Sequence, residues 1–402
     1  MNPFSVFACR VYQKTLFIAQ TLMNFPIPET REGEGALKKI PDYLKKKNKR
    51  KPLLVADPFL VKSGAISLLT KPLEEAAVSF ALFDEVVPNP PFPSVEKAYS
   101  LYESEGCDCL IAIGGGSSLD TAKAVGAKAT DPKKTLDHFK GILKVRRKIP
   151  LLIAIPTTAG TGSEATLAAV VVNPKTKDKF SINDPHLIPS LAVLDPGLLC
   201  SLPQKLVAST GMDALTHAIE SYIGCSRTKL TKSSALEAIS LIRDHLYAFY
   251  RDPTDAKEAS SMQKAAFLAG VSFTRGYVGY VHALAHALGG YYNLPHGYAN
   301  AVLLPHVLSA YGKKAERKLA DIAATLNLTQ AKGRSQQAQD LIAWIMSLNA
   351  SMGIPEGFSG VIQEKDLPLL SAHACKEGNP LYPVPKEMSR KQLMKILEEV
   401  RR

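Results

Sequence analysis

The chain is 402 residues long, 46% hydrophobic and 21% charged, figures of a globular protein with material for two cores and no apolar run of membrane-spanning length. Its net charge of +12 is concentrated in residues 38–51, KKIPDYLKKKNKRK, where eight basic side chains stand against Asp42. Without interleaved aromatics or a recognition helix, that run reads as a solvated face whose field favours anionic ligands, and a nucleic-acid site is excluded.

Six scattered cysteines, of which only Cys107 and Cys109 are close, offer no disulfide framework and fit a reduced, cytoplasmic compartment. Residues 1–24 carry Arg10 and Lys14, no acid, and apolar side chains such as Phe4, Phe7, Leu16 and Ile18. They lack the apolar core and cleavage site of a signal peptide and predict an N-terminal extension packed as a short amphipathic helix.

From Pro28 the chain alternates strands and helices. Residues 32–35 read as a turn with a helix from about Ala36, and KPLLVAD (Lys51–Asp57) as a buried parallel strand with an acid at its C-terminal end. A helix follows, then strand Ala77–Phe83, the proline-stiffened loop Val86–Pro91, a helix over 94–105 and strand Cys109–Ile113. Pro150–Pro156 is a fourth strand, and Ala168–Ile182 a hairpin with Lys177 and Lys179 in or beyond its turn. Such alternation across 29–195 implies a wound parallel sheet. From about Cys200 helical periodicity takes over, over 209–222, 231–250, 257–274, 278–289, 298–311, 315–325, 335–349 and 388–401. The fold class is therefore an N-terminal Rossmann-like α/β domain and a C-terminal all-helical domain, divided as 1–24 extension, 25–199 and 200–402.

Two loops in the first half suit an extended phosphate-bearing ligand. Strand Cys109–Ile113 runs into Gly114, Gly115, Gly116, Ser117 and Ser118 before a helix. Glycines let the backbone approach an oxyanion, and the helix N-terminus offers unpaired N–H groups. This is neither the G-x-G-x-x-G nor the G-x-x-x-x-G-K-[ST] pattern. After Pro156, the run Thr157–Glu164 is a second loop rich in glycine and hydroxyls. Together they suggest a dinucleotide, with Asp57 placed to accept from a ribose diol.

The second half suggests a metal. His282 and His286 are four apart in a helix-favouring run that Gly289 and Gly290 can stop, with His296 following in a loop after Pro295. Upstream, Asp213 and His217 share a face of an otherwise apolar helix that Ser209 or Thr210 can cap. Asp213, His217 and two of His282, His286 and His296 would give an oxygen-plus-nitrogen set suited to Fe(II), Zn(II) or Mn(II). Metal and nicotinamide together are equipment for alcohol oxidation.

The runs GGGSSLDTAK, PTTAGTGSE, TGMDALTHAIE and HALAHALGGYYNLPHGYANAVLLPH resemble the iron-containing (group III) alcohol dehydrogenases, in the branch of lactaldehyde reductases and of 1,3-propanediol and short-chain alcohol dehydrogenases. The resemblance covers roughly residues 25–402. It implies Asp213, His217, His282 and His296 as metal ligands, with Fe(II) native and Zn(II) compatible, and His286 as an unliganded proton relay near the nicotinamide and ribose. It implies cofactor contacts at Gly115, Gly116, Ser117, Asp120, Thr157, Thr158, Thr161, Thr166, Lys179 and Asn89. Asp57 matches the acid that favours NAD over NADP by repelling a 2′-phosphate.

Two positions depart from that pattern or shape the pocket. Ala168 stands where diol-oxidising lactaldehyde reductases carry an asparagine, and Phe273 matches an aromatic of the substrate pocket, so small primary alcohols and aldehydes, and longer aliphatic ones, are the expected substrates. The family's N-P-R run is Asn379, Pro380, Leu381 here. The resemblance also implies a homodimer or larger homo-oligomer, and the composition argues against a nucleic-acid or membrane partner. Two alternatives remain, a lyase of the dehydroquinate synthase type that uses NAD transiently and a non-enzymatic NAD- or metal-binding protein. The apolar surroundings of His282–His296 argue against the phosphate substrate of the former.

Overall fold

The first helix, α1 (Pro3–Leu22), is tied down by polar anchors rather than by an apolar stripe alone. The computed structural model describes residues 3–23, 25–176, 178–200 and 202–402; Lys177, expected near a hairpin turn, lies outside them. Arg10 donates from Nη1 to the Val384 carbonyl at 2.7 Å and from Nη2 to that of Pro385 at 3.0 Å. It also pairs with the buried Glu387, and Gln13 donates to the Tyr382 carbonyl at 2.8 Å. The expected helix is present and longer than expected, but it does not pack by an apolar face: Phe4, Phe7 and Ile18 remain exposed on it.

Two compact units are present, one of residues 25–201 with 254–267, the other of 1–24, 202–253 and 268–402. The first contains β1 (Glu29–Glu32), α2 (Ile40–Lys46), β2 (Pro52–Ala56), α3 (Pro58–Lys62), α4 (Ser67–Glu75), β3 (Ala81–Phe83) and α5 (Phe92–Ser104). It continues through β4 (Cys109–Gly114), α6 (Gly116–Thr130), β5 (Gly141–Ile142), β6 (Leu151–Pro156), β7 (Ala168–Asn173), β8 (Asp178–Asn183) and β9 (Leu191–Leu194).

Six strands form one parallel sheet in the order β1-β9-β6-β4-β2-β3. Its central strands are buried along nearly their whole length, so they read as continuous apolar runs. The expected hairpin is β7 against β8, antiparallel, with β5 alongside β8.

The sequence reading places no strand at β1, whose residues are Glu-Thr-Arg-Glu. It is an edge strand held by main-chain bonds to β9, with Gly33 N donating to the Leu194 carbonyl at 3.0 Å, and such pairing needs no apolar side chains. Strand β9 also escapes that reading. The helix expected from Ala36 begins as a 3-10 turn over Ala36–Lys39 before α2.

The second unit is helical, with no strand among its described residues: α7 (Gln204–Ile223), α8 (Lys229–Arg251), α9 (Ala256–Gly276, whose first turns belong to the α/β unit), α10 (Tyr280–Tyr292) and α11 (His296–Tyr311). Then come α12 (Lys313–Thr325), α13 (Arg334–Ser351), α14 (Leu367–Gly378) and α15 (Arg390–Val400). Helix α14 is not anticipated by the sequence reading. No described helix is long and apolar enough to cross a membrane.

Three local expectations are corrected. Helix α7 starts at Gln204 behind Pro203, so Ser209 and Thr210 are internal, and their hydroxyls donate back to the Leu206 carbonyl at 3.2 and 2.8 Å instead of capping. Helix α10 runs through Gly289 and Gly290 and stops at Asn293, which takes the left-handed conformation at φ 54°. Glycine weakens a helix without ending it, whereas a left-handed residue does end it. His296 is the first residue of α11, not a loop residue, because Pro295 turns the chain straight into that helix.

Candidate functional site

In the helical unit, α7, α10 and α11 bring Asp213, His217, His282 and His296 together. One donor atom from each lies within 4.8 Å of the others. The Asp213 Oδ1 is 3.6 Å from His296 Nε2 and 4.0 Å from His282 Nε2. Donors held at about 2.1 Å around a tetrahedral ion would be about 3.4 Å apart, somewhat closer than these, so the set would contract around an ion. One carboxylate oxygen and three imidazole nitrogens without a thiolate match the chemistry of Fe(II) or Zn(II). The close approach of α11 to α7 depends on Gly297, where a Cβ would overlap the Ser209 carbonyl.

The imidazoles are oriented by their other contacts. Glu220 is buried, and its Oε2 accepts from His282 Nδ1 at 2.6 Å and from Gly279 N at 2.8 Å; its Oε1 accepts from Val281 N at 2.9 Å. With Nδ1 as donor, the His282 Nε2 lone pair is left to face Asp213. Burial, followed by the charges His217, His296 and His286 would carry, holds His282 well below the usual imidazole range. Burial raises Glu220 to about 7 against the pull of its N–H donors.

His217 stacks on Phe273 at 4.1 Å and lies 4.5 Å from the His282 ring, centroid to centroid. The buried Asn300 Nδ2 donates to Asp213 Oδ1 at 2.7 Å and lies 3.2 Å from His282 Nε2 and 3.1 Å from His296 Nε2, so the three acceptors converge on one point.

His286 is the odd member. Its ring stacks on His296 at 5.0 Å and lies 6.0 Å from His282, and its Nδ1 is 2.6 Å from Glu377 Oε1. The Tyr382 hydroxyl donates to the same oxygen at 2.6 Å. Burial acts to raise Glu377, but the His286 charge and the hydrogen bonds from His286 and Tyr382 hold it below the ordinary carboxylate range.

In the α/β unit the two glycine loops meet. Thr157 N donates to the Gly114 carbonyl at 3.0 Å, and a Cβ on Gly116 would stand 3.1 Å from Thr161 Cγ2, one on Gly115 3.8 Å from Thr158 Cγ2. Gly114 has φ 149°, and a Cβ there would overlap Ser118, so only glycine suits this turn. Gly115 precedes α6, and Gly116 and Ser117 form its first turn. Asp57 directly follows β2 beside Gly114 and caps α3, accepting from Phe59 N at 2.8 Å.

Deeper in, Lys123 is fully buried. Its Nζ donates to the Ser163, Thr166 and Ala168 carbonyls and to the Ser163 and Thr166 hydroxyls at 2.6–3.0 Å. Asp120 accepts from Ser163 Oγ at 3.0 Å and Val170 N at 3.1 Å. Burial raises Asp120, lowers Lys123 to about 8 and raises Glu164 to about 7. Thr166 and Asp120 thus belong to an internal polar network. Asn89 and Lys179 are joined, with Lys179 Nζ donating to Asn89 Oδ1 at 2.6 Å. Ala168 opens β7 in this unit, while Phe273 lies in the helical one.

Sequence reasoning missed Glu220, Asn300, Glu377 and Tyr382. Glu220 is seven residues after Asp213 on one helix face, and Asn300 four after His296, so helical spacing could have found both. Glu377 and Tyr382 carry no such signal.

These observations meet a direct match in known proteins. The chain belongs to the iron-containing alcohol dehydrogenase family, whose profile, "Iron-containing alcohol dehydrogenase", matches residues 28–196 and whose C-terminal profile, "Fe-containing alcohol dehydrogenase family, C-terminal", matches 207–400. It is 37% identical over 374 residues to alcohol dehydrogenase 4 of Saccharomyces cerevisiae, covering 91% of this chain and 95% of that one. It is 35% identical over 366 residues to the NAD-dependent methanol dehydrogenase of Bacillus methanolicus, covering 89% and 96%. The crystal structure of a 1,3-propanediol oxidoreductase superposes with a TM-score of 0.90 at 34% identity, covering 94% of this chain and 100% of that one.

Proposed function

We propose that the protein is an NAD(H)-linked alcohol dehydrogenase and aldehyde reductase that binds a divalent metal, Fe(II) in preference to Zn(II), through Asp213, His217, His282 and His296. The observation that carries this reading is the convergence of one carboxylate oxygen and three imidazole nitrogens within 4.8 Å. When bound, the metal supplies a Lewis acid for the substrate oxygen and the nicotinamide the hydride acceptor or donor. The remaining work falls to the chain's own residues. Asp213 brings the negative charge, Glu220 aims His282, and Asn300 holds Asp213 in register. His286, outside the tetrad, exchanges the substrate hydroxyl proton with solvent. Phe273 supplies an apolar wall against His217, and Ala168 in place of an amide side chain favours small primary alcohols and aldehydes, and longer aliphatic ones, over diols.

For the cofactor, Gly115, Gly116 and Ser117 would present N–H groups to a pyrophosphate, with Thr157, Thr158 and Thr161 lining the adjoining loop. Asp57 would accept from the ribose and repel a 2′-phosphate, selecting NAD. Asn89, Asp120, Thr166 and Lys179 complete the cofactor side, Asp120 and Thr166 through the network around Lys123. We assign cofactor work to 25–199, metal and substrate work to 200–402, and the working form to a cytoplasmic homodimer or larger homo-oligomer. The test is iron-reconstituted protein given NADH and propanal, then a panel of longer aldehydes and diols. NADH consumption with linear aldehydes above that with hydroxyaldehydes is expected; no consumption with any aldehyde would overturn the reading.

A further inference from the structure

His286 carries one interaction that an unliganded surface imidazole would not need. Its Nδ1 lies 2.6 Å from Glu377 Oε1, and Tyr382 donates its hydroxyl to that same oxygen, also at 2.6 Å. An ionised carboxylate only accepts, so Nδ1 must carry the hydrogen and Nε2 is left as the ring's exchangeable site.

Both supports are anchored. Glu377 stands near the end of α14, which packs on α10, the helix bearing His286. Tyr382 is buried, and its main-chain carbonyl accepts from Gln13 of α1 at 2.8 Å. The His286 ring lies flat on His296, 17° from parallel. One face thus rests on a member of the tetrad while one edge is gripped by a carboxylate, and rotation about χ2 would break the latter bond.

We propose that Glu377 is the positioning residue of His286, fixing the Nδ1–H tautomer so that Nε2 exchanges the substrate proton. The proposal rests on the reading of His286 as the proton relay. During alcohol oxidation the hydroxyl proton passes to Nε2, the imidazolium so formed is stabilised at Nδ1 by the Glu377 carboxylate, and Nε2 returns the proton to solvent; reduction runs the same transfer backwards. A carboxylate that orients an imidazole and stabilises its cation is a general device for proton transfer.

The experiment compares the full-length, iron-loaded protein with Glu377→Leu, the isosteric Glu377→Gln, His286→Ala and the double variant His286→Ala/Glu377→Leu. Glu377→Leu is expected to lower kcat by about 10- to 100-fold, the range seen when a metal-bound histidine loses its carboxylate partner, with KM and iron content unchanged. Glu377→Gln, which keeps an acceptor but not the charge, should recover part of the loss. The double variant should be no slower than His286→Ala alone. On the diamagnetic zinc-loaded protein, imidazole 15N resonances should report Nδ1–H for His286 and a mixture of tautomers in Glu377→Leu. Wild-type kcat in Glu377→Leu with a slow His286→Ala overturns the positioning role while leaving the relay intact. Losses that add in the double variant also overturn it, because Glu377 would then act without His286. Wild-type kcat in His286→Ala removes the relay and the proposal together.

Discussion

Glu164 sits in the α/β unit 1% exposed, with no hydrogen-bond partner for its Oε1, and burial raises its carboxyl from 4.5 to about 7. Its proton is therefore held more tightly in the folded than in the unfolded chain, and between pH 4.5 and about 7 the folded state binds more protons. Stability then falls as pH rises through that window, by about 1.4 kcal/mol for each pH step of one, or roughly 3 kcal/mol in all. Glu164→Gln removes the titration. The variant should gain on the wild type by about that amount between pH 5 and pH 8, read from denaturant unfolding at the two values; an identical difference at both would refute the assignment. At this scale the sequence was informative about side chains that repeat along one helix. Asp213 and His217, or His282 and His286, declare themselves by a spacing of four. It was silent on partners such as Glu377 and Lys123, because a hydrogen bond across the fold leaves no periodic trace.

Helix ends and helix contacts place the site. His296 joins the tetrad because Pro295 turns the chain directly into α11, and because Gly297 lets the first turn of α11 lie on the Ser209 carbonyl of α7. In Gly297→Ala the new methyl overlaps main chain, which cannot swing aside as a flexible side chain could. Helix α11 must then shift off α7, at a cost of about 1–3 kcal/mol, carrying His296 away from Asp213 and His217. A lower melting temperature together with weakened iron binding is expected; unchanged melting and full iron occupancy would show that the contact does not set the site. Helix α1 works differently, since its anchors are Arg10 and Gln13 on the 382–387 segment, and its apolar residues Phe4 and Phe7 stay outside. The sequence announced an amphipathic helix there, but the face that docks carries Arg10, Gln13 and the buried Cys9 rather than the phenylalanines.

At the scale of the whole chain, chemistry divides between two units: the glycine loops lie in one and all four metal-binding candidates in the other. An ion bound only by the folded helical unit stabilises it by about 2.7 kcal/mol at a hundredfold excess over its dissociation constant. Chelating the metal should therefore speed hydrogen exchange in α7, α10 and the first turn of α11 while leaving β2, β4 and β6 protected. Equal loosening of the sheet would contradict a tetrad confined to the helices. The alternation of buried strands with helices, the two glycine loops and the helical second half were legible in order, because central parallel strands must be apolar throughout and helices carry a regular repeat. The edge strand β1 was not, since its residues are polar and it is held by main-chain bonds to β9 and by the pairing of Glu29 with Lys47. So the sequence by itself determined the fold class, the family and the residue types able to bind metal, all of which are local patterns of polarity and spacing. Only the tertiary structure decided which imidazole faces which neighbour. His282 and His286 share a helix face, but His282 is turned by Glu220 toward Asp213 while His286 is held by Glu377. Those two carboxylates reach them from α7 and α14, and only folding brings these helices to α10.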